Sequence, residues 1–127
     1  MKNLIILSIV LMVITSFSAF AEVGNNGHLK RIAEISLNLS HYPSASEKKE
    51  LVKMMKNEDL SESIRVLAHA LYNLEHSVAE VDKKGLNTII NNASESNKIR
   101  TLANVLLNIN HQPSSTDKVK LKSIIDA

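Results

Sequence analysis

The chain has no cysteine and no tryptophan among its 127 residues, and it contains only three glycines, two prolines, two tyrosines and two phenylalanines. The absence of cysteine excludes a disulfide framework, thiolate metal ligands and cysteine nucleophiles. The scarcity of glycine and proline argues against a β-sandwich or a collagen-like chain. A hydrophobic share of 44% beside 22% charged residues argues against an unfolded chain. The length allows one small domain.

The first 21 residues have the pattern of a secretory signal peptide. Lys2 supplies the positive start, residues 4–14 are apolar, and Ala19-Phe20-Ala21 matches the A-x-A cleavage pattern. The apolar run covers only about 16 Å as a helix, whereas a hydrocarbon core is about 30 Å thick. We therefore expect a signal peptide over 1–21 with cleavage after its last alanine, rather than an uncleaved anchor or a buried helix. The mature chain would then be periplasmic or secreted, with a flexible lead-in at 22–27.

The charge balance argues against a nucleic-acid partner. Without Lys2 the chain carries 14 basic and 13 acidic residues, and no basic run is longer than two residues. Nucleic-acid binders usually carry a larger and clustered basic excess. No later segment is apolar enough to span a membrane, so we expect no integral membrane segment after cleavage.

An internal repeat organises the rest of the chain. Three rows begin at Leu29, Ile64 and Ile99, which are 35 residues apart, and they cover 29–63, 64–98 and 99–127. The rows share a basic residue, an alanine, an asparagine and a histidine at matching places, followed by an acidic residue beside a lysine. The matching alanines are Ala33, Ala68 and Ala103, and the acidic–lysine pairs are Glu47-Lys48, Asp82-Lys83 and Asp117-Lys118.

Each row predicts two helices. In the second row Ile64, Leu67, Ala68 and Leu71 fall at i, i+3, i+4 and i+7, which is one stripe of an α-helix. The prolines at 43 and 113 end the first helix of their rows, and Ser44 and Ser114 have the pattern of N-caps. The middle row lacks that serine, so its second helix must be capped differently. The predicted helices are 28–40, 45–56, 61–75, 80–91, 97–110 and 115–126.

A helical hairpin of this size cannot bury both of its faces alone, so we predict an all-α domain over 28–127. Three tandem hairpins would stack as a short α-solenoid with the character of a right-handed superhelix. In period and hairpin plan this resembles the tetratricopeptide and HEAT repeats, although the early Trp and the Gly-x-x-Tyr segment of the former are missing. The ends of such a stack lack covering elements, which would favour a homodimer through the solenoid ends.

Histidine and asparagine recur at matching positions in every row, and this set, called the ladder below, is the first candidate for a chemical role. Imidazole binds metals. Stacked hairpins lie roughly 8–10 Å apart, however, which would keep the histidines from sharing one ion. We therefore expect a structural ladder that caps helix C-termini and braces turns, with no metal, no cofactor and no catalytic residue. The ladder consists of Asn38, His41, Asn73, His76, Asn108 and His111.

A second set of polar residues recurs at matching positions on the first helix of each row. It is either a solvated face or a recognition stripe, because repeat proteins use such columns as extended binding surfaces. The candidate stripe consists of Lys30, Glu34, Arg65, His69, Arg100 and Asn104.

These features together predict an exported, non-catalytic protein-interaction module whose partner is another protein. An adaptor, an inhibitor or immunity-type protein, or an envelope assembly factor would all fit. One alternative is an envelope-surface protein that binds anionic polymers through lysine-rich faces, such as the last helix with Lys118, Lys120 and Lys122. A histidine-based metal-binding protein is the other alternative.

Overall fold

The computed structural model describes residues 24–127, and this part of the chain is all-helical with no strand. The predicted signal peptide, 1–21, lies outside the described residues. Six helices follow one another: α1 over 24–37, α2 (Ala45–Lys56), α3 (Glu62–Tyr72), α4 (Glu80–Asn91), α5 (Asn97–Asn108) and α6 (Ser115–Asp126). Within residues 24–127, no helix is long and apolar enough to cross a membrane.

The three second helices begin and end where the sequence predicts, but the first helices differ. Helix α1 is already helical at residue 24, so the lead-in predicted at 22–27 is not loose over 24–27. Helices α1, α3 and α5 end at 37, 72 and 108, two to three residues before their predicted ends. In the first and third rows the prediction placed these ends by proline, and the middle row has none. The chain leaves each helix earlier because the residues around each histidine form a tight turn.

Serine side chains cap four of the helices. Ser44 accepts a hydrogen bond from the backbone N–H of Glu47, whose side chain accepts one from the Ser44 N–H in return, so the predicted capping box is confirmed. Ser114 caps α6 through the N–H of Asp117, and Ser61 and Ser96 cap α3 and α5 in the same way. Helix α4 has Ala79 at its N-cap and therefore no side-chain cap, as the sequence predicts for the middle row.

Aliphatic side chains form the core, and the alanines that recur in the three rows lie within it. Ala33, Ala68 and Ala103 are fully buried, as are Leu67 and Leu102. Helix α2 packs against α3, α3 packs against α4 and α5, and α5 packs against α4 and α6. A larger side chain at the alanine positions would overpack these contacts, which explains why the position stays small.

The turns at the ends of α1, α3 and α5 meet in a closed ring. The backbone N–H of His41 donates to the carbonyl of His111 at 2.8 Å, that of His76 to His41 at 2.8 Å, and that of His111 to His76 at 2.6 Å. In an open stack the first and third turns would be separated by the second. The expectation of an open solenoid is therefore wrong at this end of the molecule, because each turn bonds both of the others.

An ion pair joins α1 to α2. The Arg31 guanidinium donates from Nε to Glu50 Oε2 at 2.7 Å and from its terminal nitrogen to Glu50 Oε1 at 2.8 Å. This two-pronged hydrogen bond lowers the pKa of the Glu50 carboxyl below its usual range. Because the carboxylate is 42% exposed, water screens much of the attraction.

Glu50→Gln should lower the free energy of unfolding by about 0.5–1 kcal/mol at neutral pH. The pKa of Glu50 is lower in the folded than in the unfolded protein, so the stabilisation is present above the unfolded value and is lost as the pH falls through the folded value. Urea unfolding of both proteins across this range should show the difference shrinking in acid. Glu58→Gln, an exposed position between α2 and α3, is the control. A gap that stays constant with pH would contradict the prediction.

Candidate metal centre

The three histidine turns share an unusual backbone conformation. His41, His76 and His111 have φ angles of 75°, 65° and 67°, and they are the non-glycine residues with positive φ in the described chain, 24–127. This left-handed region is disfavoured by about 1–2 kcal/mol for residues with a side chain, and glycine or asparagine usually occupies it. Each histidine therefore reverses the chain direction sharply just after a helix, which brings its carbonyl and N–H into the closed ring.

The same turns bring three imidazoles to one point. The Nδ1 atom of His111 lies 2.9 Å from Nδ1 of His41 and 2.9 Å from Nδ1 of His76. One ring nitrogen from each histidine lies within 4.8 Å of the others. The rings pack edge to face, with centroids 4.7–5.0 Å apart. Among residues 24–127 this is the one cluster of three or more His, Asp or Glu side chains with this ligand spacing.

Protons alone satisfy this arrangement poorly. The Nδ1 atom of a neutral imidazole holds either one proton or one lone pair. His111 Nδ1 contacts two other Nδ1 atoms, so one proton cannot serve both contacts in good geometry. Protonating all three rings would place three positive charges within a few ångströms, which is unfavourable. A cation facing three Nδ1 lone pairs satisfies all of them together.

The spacing suits a first-row transition metal. For a metal–nitrogen bond of about 2.1 Å, adjacent ligand nitrogens are about 3.0 Å apart in an octahedral site and about 3.4 Å apart in a tetrahedral one. The two contacts of 2.9 Å are close to the first value. Small rotations of exposed rings would reach the second.

Helix electrostatics also favour a cation here. Helices α1, α3 and α5 end three to four residues before the three histidines. A helix C-terminus carries a partial negative charge of about half an elementary charge, which attracts cations within the last turn. Each histidine turn follows such an end, so the three helices would add a modest attraction for a cation, which neutral imidazole ligands do not supply.

The geometry overturns the reasoning that kept the histidines apart. That reasoning placed neighbouring turns roughly 8–10 Å apart, whereas His111 Nδ1 lies 2.9 Å from the Nδ1 atoms of both His41 and His76. The three turns surround a common axis instead of following one another along a line. The recurrence of one histidine per row was the sequence signal for this cluster. The assumption of a straight stack led to the wrong distance between the histidines.

The asparagines of the ladder have three different roles. Asn38 donates to the carbonyl of Glu34 one turn earlier, which is the only one of the three bonds that ties the side chain to backbone. Asn108 donates to the side chain of Asn104. Asn73 donates to the carboxylate of Asp82 at 3.0 Å. The three asparagines therefore lie at the helix ends, and none of these bonds involves the histidines of the cluster.

The six residues of the candidate stripe are not gathered into one exposed surface. The Nε atoms of Arg65 and Arg100 are buried without a hydrogen-bond partner, so these side chains lie partly between helices. His69 and Asn104 are exposed, while Lys30 and Glu34 are half-buried. The residue types at these positions also differ from row to row. They are Lys30 and Glu34 in the first row, Arg65 and His69 in the second, and Arg100 and Asn104 in the third.

In the middle row the stripe residue His69 contacts the buried carboxylate of Asp82, a contact that the sequence did not predict. His69 Nδ1 lies 2.6 Å from Asp82 Oδ1, and the Asp82 carboxylate is 7% exposed. Asn73 donates to the other carboxylate oxygen. Asp82 thereby joins α4 to α3 at the helix start that lacks a serine cap. Among the described residues, this group does not belong to a set of three or more converging metal-ligand side chains.

Two surface grooves lie between paired helices. One of about 550 Å³ lies beside α1 and α2 and is lined by Arg31, Glu50 and Met54 among others. The other, of about 470 Å³, lies beside α3 and α4 and is lined by Val66, Gly85 and Ile89 at matching positions of the next row. In the first groove the side chains of Arg31 and Glu50 bond each other. Neither groove gathers convergent donor atoms as the histidine turns do.

A comparison of the chain with known protein families, with curated protein sequences and with solved structures finds no match. The geometry of the described residues therefore carries the functional argument by itself.

The left-handed turns make a prediction about stability. With a chelator present, His76→Gly should be more stable than His76→Ala by about 1 kcal/mol, because glycine accepts positive φ without steric cost. Urea unfolding measures the difference. The control is exposed Asn87 in the middle of α4, where alanine should exceed glycine by about 1 kcal/mol. Equal preferences at the two positions would show that the turn is not left-handed.

The buried carboxylate makes a second prediction. Asp82→Ala should destabilise the protein by about 1.5–3 kcal/mol, because it removes the partner of both His69 and Asn73. Glu80→Ala removes a carboxylate of the same helix turn that is 86% exposed and pairs only with Lys83, so it should change stability by at most about 0.5 kcal/mol. Thermal or urea unfolding compares the two. Equal losses would mean that Asp82 is not anchored as described.

Proposed function

We propose that this protein binds one divalent transition-metal ion through Nδ1 of His41, His76 and His111. The observation that carries the proposal is the convergence of the three Nδ1 atoms, two of whose separations are 2.9 Å. In this proposal the chain consists of three copies of one helical hairpin, closed into a ring, and each copy contributes one ligand. The metal-binding reading, which the sequence ranks as an alternative, thus becomes the first.

The ligand set narrows the choice of metal. Imidazole nitrogens suit Zn²⁺, Cu²⁺, Ni²⁺ and Fe²⁺, whereas Mg²⁺ and Ca²⁺ take oxygen ligands. The chain has no cysteine, which leaves no thiolate for soft ions. Affinity for nitrogen sites rises along the first row to Cu²⁺ and is lower for Zn²⁺. We therefore propose Zn²⁺, Ni²⁺ or Cu²⁺ as the bound ion.

Export belongs to the proposal as well. The signal-peptide pattern of residues 1–21 supports a periplasmic or secreted protein. The absence of cysteine suits an oxidising compartment. A role as a protein-interaction module remains a second proposal that rests on the stripe of Lys30, Arg65 and Arg100 with its polar neighbours. The buried Nε atoms of Arg65 and Arg100 reduce the part of that stripe that a partner could contact.

Calorimetric titration of the mature chain with Zn²⁺ tests the metal proposal. We expect one ion per chain. His76→Asn should weaken binding by at least about 100-fold, because even the loss of an outer-shell partner costs about 10–100-fold in affinity. Asparagine tolerates positive φ, so this variant removes the imidazole and keeps the turn. His41→Asn and His111→Asn should behave alike.

His28→Asn is the matched control, since His28 lies on α1 outside the cluster, and it should bind Zn²⁺ like the unmodified protein. Far-ultraviolet circular dichroism should show that every variant stays helical. Absence of stoichiometric binding in the unmodified chain, or undiminished binding in all three turn variants, would refute the proposal.

A further inference from the structure

The histidine cluster supplies three ligands and no more within the described residues. No Asp or Glu side chain of residues 24–127 joins the group of converging ligand atoms. Structural zinc sites are closed by four protein ligands, whereas sites with three protein ligands keep a position for water or an exogenous ligand. An ion bound by three Nδ1 atoms would therefore have at least one coordination position that the protein does not fill.

The free position faces solvent. Helices α1, α3 and α5 and the ring of backbone hydrogen bonds among the histidines lie on the inner side of the cluster. The three histidines themselves are exposed, and so are the residues on either side of each, such as Ser40, Tyr42 and Gln112. Among the residues from 24 onward, no element thus covers the outer side of the cluster.

Charge determines which ligands that position would favour. Three neutral imidazoles leave the full double positive charge on a divalent ion. Within two residues of the three histidines along the chain, Glu75 is the one charged side chain, and it is exposed. The ion therefore keeps an unneutralised charge on its solvent side, where an anionic donor is favoured over a neutral one.

We propose that the metal-loaded centre binds small monodentate anions from solution at its solvent-facing coordination position. This inference rests on the proposed metal function and adds a ligand class to it: small anions that coordinate the ion through one atom. Azide is the probe. The centre then acts as a ligand-accepting site and differs from a closed structural one.

Loading the protein with Co²⁺ in place of Zn²⁺ gives a visible spectrum that reports the coordination of the ion. Azide titration of the one-to-one Co²⁺ protein should produce a saturable change in the visible bands, with one azide per ion. Under the same conditions His76→Asn should give only the spectrum of free Co²⁺ with azide. Calorimetry of metal binding, run first, separates failure of the centre itself from failure of the anion site.

Two further measurements address what else could fill the position. Glu75→Gln should bind azide at least as well as the unmodified protein, and sedimentation should show the same mass with and without metal. The proposal would be overturned by stoichiometric Co²⁺ binding without any azide response. It would also fail if azide bound only to Glu75→Gln, because Glu75 would then be the fourth ligand. Metal-dependent dimerisation with loss of the azide response would likewise overturn it, because a second copy would then occupy the position.

Discussion

The left-handed backbone of three histidines is the constraint on which the closed ring depends. Each of His41, His76 and His111 gives up about 1–2 kcal/mol of conformational preference. In return each turn gains an N–H···O bond of 2.6–2.8 Å to the next. Glycine would make the same ring without the steric cost. That histidine stands there in all three turns indicates that the imidazole, and not the turn alone, is what the position requires.

The ring of turns and the packing of the helices belong together. The first turn bonds the third across 70 residues of chain, so the three turns are arranged about an axis and not along a line. Helices α3 and α5 also contact each other directly. The fully buried Ala68 and Ala103 are small enough for this approach. Small residues on the helices and reversed backbone in the turns are thus two parts of one arrangement.

Local sequence signals predicted the elements well and their assembly poorly. Helices α2, α4 and α6 match the predicted bounds, because the apolar period, and in α2 and α6 a serine cap, act within a few residues. The ends of α1, α3 and α5 were placed too late, since no glycine marks the left-handed histidines and the prolines at 43 and 113 lie several residues beyond the helix ends. The three histidines were singled out, but their convergence was missed because the distance between them depends on the rotation between hairpins, which periodicity does not encode. The His69–Asp82 contact was missed for a different reason: it depends on how α3 and α4 pack within one hairpin, which joins side chains 13 residues apart.

A centre built from three distant turns differs physically from a histidine pair on one helix. Ligands at i and i+4 meet whenever that helix forms, but His41, His76 and His111 meet only when α1, α3 and α5 have packed and the ring has closed. An ion that binds this arrangement and not the unfolded chain must stabilise the whole helical assembly. The three histidines are exposed, so an ion held there would stay in contact with solvent. The same geometry would therefore couple metal binding to the global fold and keep the ion accessible to exchange and to other ligands.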